Sequence, residues 1–115
     1  MQSELGDKIR LQHILDAIEE IEKYLTATDF SIFINNSMMR FACIKQMEII
    51  GEASNHISEE LKSKFTDIKW AQIVGMRNVF AHEYFGIDSS IVWEIIKNDI
   101  PELKAKVKYI LESIN

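Results

Sequence analysis

The chain has 115 residues, enough for one domain around one modest core, and an apolar content of 47% excludes a disordered segment. Four glycines and one proline are too few for a β-rich fold with many tight turns. A net charge of −5 argues against a broad basic footprint for nucleic acid while leaving room for a local cationic cluster, and the single cysteine, Cys43, excludes an intrachain disulfide.

Taken in order, the chain reads as helices with short connections. The first helix is expected over 7–25, with Ile9, Leu11, Ile14, Leu15, Ile18, Ile21 and Leu25 on its apolar side and Glu19, Glu20, Glu22 and Lys23 largely opposite. His13 flanks that stripe as a surface residue. Thr26 to Asp29 is a connection, and Phe30 to Ile34 a short helical turn or packed loop. Asn35, Asn36 and Ser37 are cap residues opening a long helix over 37–63. Its stripe is Met38, Phe41, Cys43, Ile44, Met47, Ile50, Ala53, Ile57 and Leu61, so Cys43 is expected in the interior. Gly51 costs helix stability by about 1 kcal/mol relative to alanine, and its presence predicts close approach of another helix. Arg40 is either a phosphate contact or a surface ion pair. His56 is read as lacking the acidic or histidine partner one turn away that a helical metal pair would show.

A loop over 63–69 leads to a helix from Trp70 to about Tyr84, buried through Trp70, Ile73, Val74, Val79 and Phe80 and stopped at Gly86. Asp88, Ser89 and Ser90 cap a short helix over 91–97 with Ile91, Val92, Ile95 and Ile96 inward. Asp99-Ile100-Pro101-Glu102 has the form of a capping box, predicting a new helix over 100–114 that buries Leu103, Val107, Ile110 and Leu111. Lys104, Lys106 and Lys108 form either a basic patch or a solvated face. There is no repeat or linker, and no signal segment or apolar run of membrane-spanning length, so a cytoplasmic location is expected. The expectation is all-α: one domain over 1–115, an antiparallel bundle of four to five helices.

One segment concentrates chemistry. Gly75 to Gly86 holds Arg77, Asn78, His82 and Tyr84 among apolar residues, in the spacing R-x4-H-x-Y. Arginine presents planar, permanently charged donors that match phosphate oxygens, and histidine exchanges protons near neutrality. Together they suit cleavage of an RNA phosphodiester without a metal: the 2′-OH attacks the adjacent phosphorus, His82 moves a proton, and Arg77 holds the charge that builds on the phosphoryl oxygens. DNA lacks the 2′-OH and is not an expected substrate. On a regular helix Arg77 and His82 point roughly 140° apart, whereas Asn78 and His82 share a face, as do Arg77 and Tyr84. A helix break near His82, or a site shared by two subunits across a two-fold axis, would resolve this.

Arg77-Asn78-Val79-Phe80-Ala81-His82-Glu83-Tyr84 resembles the signature of HepT-like toxins in the HEPN superfamily. The likeness extends in one register through Ile49-Ile50-Gly51-Glu52-Ala53-Ser54, Ile68-Lys69-Trp70, Tyr84-Phe85-Gly86-Ile87-Asp88, Ile91-Val92-Trp93-Glu94-Ile95 and Asn98-Asp99-Ile100-Pro101. The resemblance implies a homodimeric helical bundle that needs no cofactor and acts as an endoribonuclease toxin of a type VII-like toxin–antitoxin pair. Arg77 and His82 would be catalytic. Asn78 would orient the motif or touch phosphate, and Glu52 is either an orienting partner for Arg77 or a surface carboxylate. The implied partner is a MntA-like minimal nucleotidyltransferase antitoxin, which would silence the toxin by transferring AMP to Tyr84. An alternative of another class is a non-catalytic helical dimer that binds the nucleotidyltransferase, favoured by the acidic balance. A metal-binding bundle is disfavoured, because no Glu-x-x-His motif occurs.

Overall fold

Apolar residues at helical spacing decide the first element. In the computed structural model, α1 (Gln2–Tyr24) buries Leu11, Ile14, Ala17, Ile18 and Ile21 along one side. The structure describes residues 2–82 and 88–114, and for 2, 3 and 79–82 the backbone alone. Helix α1 starts earlier than its stripe predicts, and Ile9 is exposed. Its end is turned by Ala27, whose φ of 57° places a non-glycine residue in the left-handed region.

Asp29 caps α2 (Phe30–Ile34), its Oδ1 accepting from the Ile32 amide at 2.9 Å. This settles Phe30 to Ile34 as a helical turn. It drives Phe33 into the core, 5.0 Å from the Trp93 ring by centroid. Among the described residues Arg40 forms no ion pair. Its Nη1 donates to the carbonyl oxygens of Ile34 (2.6 Å) and Phe33 (3.5 Å), closing the end of α2.

Asn36 caps α3 (Ser37–Asn55), with Oδ1 accepting from the Met39 amide at 3.0 Å. Cys43, Ile44, Met47, Ile50 and Ala53 are buried, whereas Met38 and Phe41, the first two residues of the predicted stripe, are exposed. The predicted helix over 37–63 is two helices. α3 stops at Asn55, and Ser58 caps a separate α4 (Glu59–Lys64) by accepting from the Leu61 amide. Asp7, buried on α1, fixes that cap by accepting from the amide and the hydroxyl of Ser58. A long-range partner therefore breaks a helix whose apolar pattern continues through Ile57 and Leu61.

The loop after α4 is closed by Trp70, whose Nε1 donates to the Phe65 carbonyl at 3.0 Å. Trp70 then opens α5 (Trp70–His82), with Ile73 and Val74 half-buried. Asp88 caps α6 (Ser89–Glu94), its Oδ1 accepting from the amide and hydroxyl of Ser90. Val92 and Ile96 point inward as expected, while Ile91 is exposed.

The anticipated break before Pro101 is absent. α6 runs through a π turn over Ile95–Asp99 into α7 (Ile100–Ile114), and the Ile100 amide donates to the Ile95 carbonyl. The wider turn accommodates a residue that has no N–H and whose ring would crowd the carbonyl four residues back. Glu102 does not complete a capping box; its carboxylate takes the Lys106 ammonium at 2.9 Å. Leu103, Val107, Ile110 and Leu111 are buried as predicted.

Helix α3 is the centre of the fold. It packs against α1, α2 and α5; α1 also packs against α7, and α2 against α6. The architecture is all-α, without a strand among the described residues. None of the described helices is long and apolar enough to cross a membrane.

Candidate functional site

The contact of α3 with α5 builds the site. A Cβ on Gly51 would lie 2.9 Å from the Arg77 amide nitrogen and 3.0 Å from both the Arg77 Cβ and the Ile73 carbonyl oxygen. The absence of that one carbon lets the two helices touch through backbone, as the glycine predicts. The closeness puts the root of Arg77 beside the next residue of α3, Glu52. Arg77 Nη1 donates to Glu52 Oε2 at 2.9 Å. Glu52 is therefore paired with Arg77, although half exposed at the surface.

The second carboxylate oxygen is also engaged. Glu52 Oε1 lies 3.0 Å from His56 Nε2, one helical turn further along α3. Contrary to expectation, His56 does have an acidic neighbour one turn away, because Glu52 occupies the position four residues earlier. The bond from Arg77, then that from His56, holds the Glu52 carboxyl below its ordinary range. An ionised carboxylate only accepts, so Nε2 of His56 carries the proton and donates. The result is a chain of imidazole, carboxylate and guanidinium running from α3 to α5.

Of the five N–H donors of a guanidinium, Glu52 takes one, and no other partner for Arg77 exists among the described residues. Arg77 is one-third exposed, so part of its side chain is open to solvent. Asn78, the next residue, is exposed beside it. His82 lies on the same helix five residues from Arg77, roughly 140° around the axis on regular geometry. Asn78 and His82 keep their spacing of four on α5. Tyr84 lies outside the described residues.

Two other sequence features carry no open chemistry. Lys104 is paired with Glu22 on α1 at 2.9 Å, and Lys106 donates to Glu102 within α7 and to the Asp67 carbonyl, while Lys108 is a solvated residue on the helix face. Cys43 is fully buried, and that burial pushes its thiol pKa up to about 12. Among the described residues no three His, Cys, Asp or Glu side chains are grouped to hold a metal ion.

Comparison with known proteins matches residues 14–110 to the family model described as Ribonuclease HepT-like. A protein of Methanocaldococcus jannaschii named "Putative RNase MJ1380" is 40% identical over 103 residues, 90% of this chain and 94% of that one. A second from the same organism, "Gamma-glutamylcyclotransferase and putative RNase MJ0434", is 37% identical over 94% of this chain, which spans only 49% of that protein. The "Probable ribonuclease HepT" of Thermococcus cleftensis is 40% identical over 84% of this chain and 87% of its own length. No solved structure matches significantly. With nearly its whole length matched by the family model, and its arginine seated on α5 against α3, this chain belongs to the Ribonuclease HepT-like family.

Proposed function

We propose that the chain is an endoribonuclease toxin that cleaves RNA by transesterification. The 2′-oxygen attacks the adjacent phosphorus and the 5′-oxygen leaves. The products are a 2′,3′-cyclic phosphate and a 5′-hydroxyl. The 2′-OH loses a proton and the departing 5′-oxygen gains one, His82 moving the proton, and Arg77 neutralises charge on the phosphoryl oxygens. Asn78 contacts phosphate or orients the motif, and Glu52 sets the guanidinium. The observation that carries this reading is the single-point contact of Arg77 with Glu52, which holds the arginine through one donor and is its one contact among the described residues. The names of the relatives support the same substrate class.

The reading includes a homodimer, in which two copies of α5 flank one cleft and relieve the angular separation of Arg77 and His82. It also includes control by a nucleotidyltransferase antitoxin. The Tyr84 phenolic oxygen attacks the α-phosphorus of ATP, pyrophosphate leaves, and the phenolic proton is lost. The AMP added carries negative charge that repels an RNA backbone. The acidic net charge of −5 favours a second reading, a non-catalytic helical module that binds the nucleotidyltransferase.

Cleavage of a short single-stranded RNA is the deciding assay. His82→Ala and Arg77→Ala each should lower the rate at least 100-fold, in line with loss of a proton-transfer group or a transition-state donor. Full activity in His82→Ala refutes the catalytic assignment, and wild-type chain without activity favours the binding module. Intact mass after co-expression with a MntA-like nucleotidyltransferase tests the modification. One or more AMP units, lost in Tyr84→Phe, are expected.

A further inference from the structure

The imidazole of His56 has no place in the R-x4-H-x-Y pattern, yet it is the far end of the chain that reaches Arg77. We propose that His56 is a positioning residue for the ribonuclease site, acting through Glu52 to fix the plane of the carboxylate that aims the Arg77 guanidinium. The inference rests on the ribonuclease reading and extends it to a third side chain.

The geometry carries the argument. A carboxylate held at one oxygen rotates freely about its terminal torsion, which is broad. Glu52 is half exposed, so packing does not hold it. With Oε1 on His56 at 3.0 Å and Oε2 on Arg77 at 2.9 Å, both oxygens are claimed and the rotation stops. His56 is suited to anchor it. As the C-cap of α3 it donates its backbone N–H to Ala53 and Ser54 carbonyls, so the ring grows from a fixed point. Gly51 fixes the other end by seating Arg77 against α3. The guanidinium is thereby held from both helices while, among the described residues, one of its N–H groups is used. A loose Glu52 would swing, chelate Arg77 through two oxygens in a fork, and withdraw the donors that meet phosphate.

The role is structural-electrostatic and involves no proton transfer to substrate, so it has a distinct kinetic signature. The test compares wild type, His56→Ala, His56→Gln, Glu52→Gln and the double variant Glu52→Gln/His56→Ala, on a cleavable RNA oligonucleotide and on its 2′-O-methyl form for binding. His56 is exposed at a helix end, so all variants should fold, with melting temperature as the control. His56→Ala should lower kcat about tenfold with KM changed less than twofold. His56→Gln, which keeps a donor to Glu52, should recover most of the loss. In the Glu52→Gln background, His56→Ala should add nothing. Unchanged kcat in His56→Ala, or a loss that adds in full to that of Glu52→Gln, overturns the inference while leaving the ribonuclease reading intact. Absence of His82-dependent cleavage by the wild type overturns both.

Discussion

One carboxylate, Glu52, bonds to His56 at the end of α3 and to Arg77 on α5. Its pKa lies below the ordinary value of 4.5 because Arg77, then His56, donate to its charged form. The sign of the pH effect follows. A lowered folded-state pKa means the pair contributes fully above the ordinary value and is lost as pH falls through the lowered one. In a carbon-detected NMR titration, the Glu52 carboxyl should show a midpoint below 4.5. That midpoint should rise in Arg77→Ala, and a midpoint unmoved by the substitution would remove Arg77 as the cause. Cys43 offers a second test at this scale. A thiol at about 12 has almost no thiolate at pH 8, and it is fully buried. Iodoacetamide should leave Cys43 intact in the folded chain and alkylate it on addition of urea. Labelling at the rate of free cysteine under native conditions would contradict the buried placement.

Between elements, two glycines make opposite predictions. Gly51 and Gly75 both lie inside helices, where alanine gains up to about 1 kcal/mol in propensity. A Cβ at Gly51 meets Arg77 and Ile73 backbone at 2.9 and 3.0 Å, so α3 and α5 must part, at a cost of about 1–3 kcal/mol. A Cβ at Gly75 meets nothing within 4 Å. Gly51→Ala should therefore lower the urea midpoint and, by shifting Arg77, the cleavage rate. Gly75→Ala should raise the midpoint. The same direction for both would show that the close helix contact is not what Gly51 serves. The π turn over Ile95–Asp99 belongs to this scale too. Asp99, Pro101 and Glu102 carry local helix-start signals, but α7 is already held by Leu103, Val107 and Ile110, so the chain continues as helix and widens one turn.

For the molecule as a whole, charge sets how it meets RNA. The net charge is −5, and Lys104 and Lys106 are spent on Glu22 and Glu102. On the proposed reading, affinity rests on a few phosphate contacts around Arg77. Each phosphate neutralised on a single strand contributes about −0.7 to the slope of log K against log salt. A slope no steeper than about −2, some three phosphates, is expected for a 2′-O-methyl oligonucleotide by fluorescence anisotropy. A slope of about −5 or steeper would require a basic surface that the paired lysines do not provide.

Much was legible before the fold was known. The apolar spacing of Leu11, Ile14, Ile18 and Ile21 sets α1, Asn36 and Asp88 mark helix starts, and Gly51 announces a close neighbour, because each is a local rule acting within a few residues. The motif with Arg77, Asn78 and His82 is likewise local, and it places all three on α5. What the sequence alone left open depends on partners far along the chain. Asp7 decides that the helix breaks at Ser58, fifty-one residues away. Glu52 and Arg77 meet across twenty-five residues only because α3 and α5 touch at a glycine. The pairing of Glu52 with His56 was readable at a spacing of four, but its meaning was not. Only the packing of α3 on α5 places the other carboxylate oxygen on Arg77 and makes a surface pair part of the site.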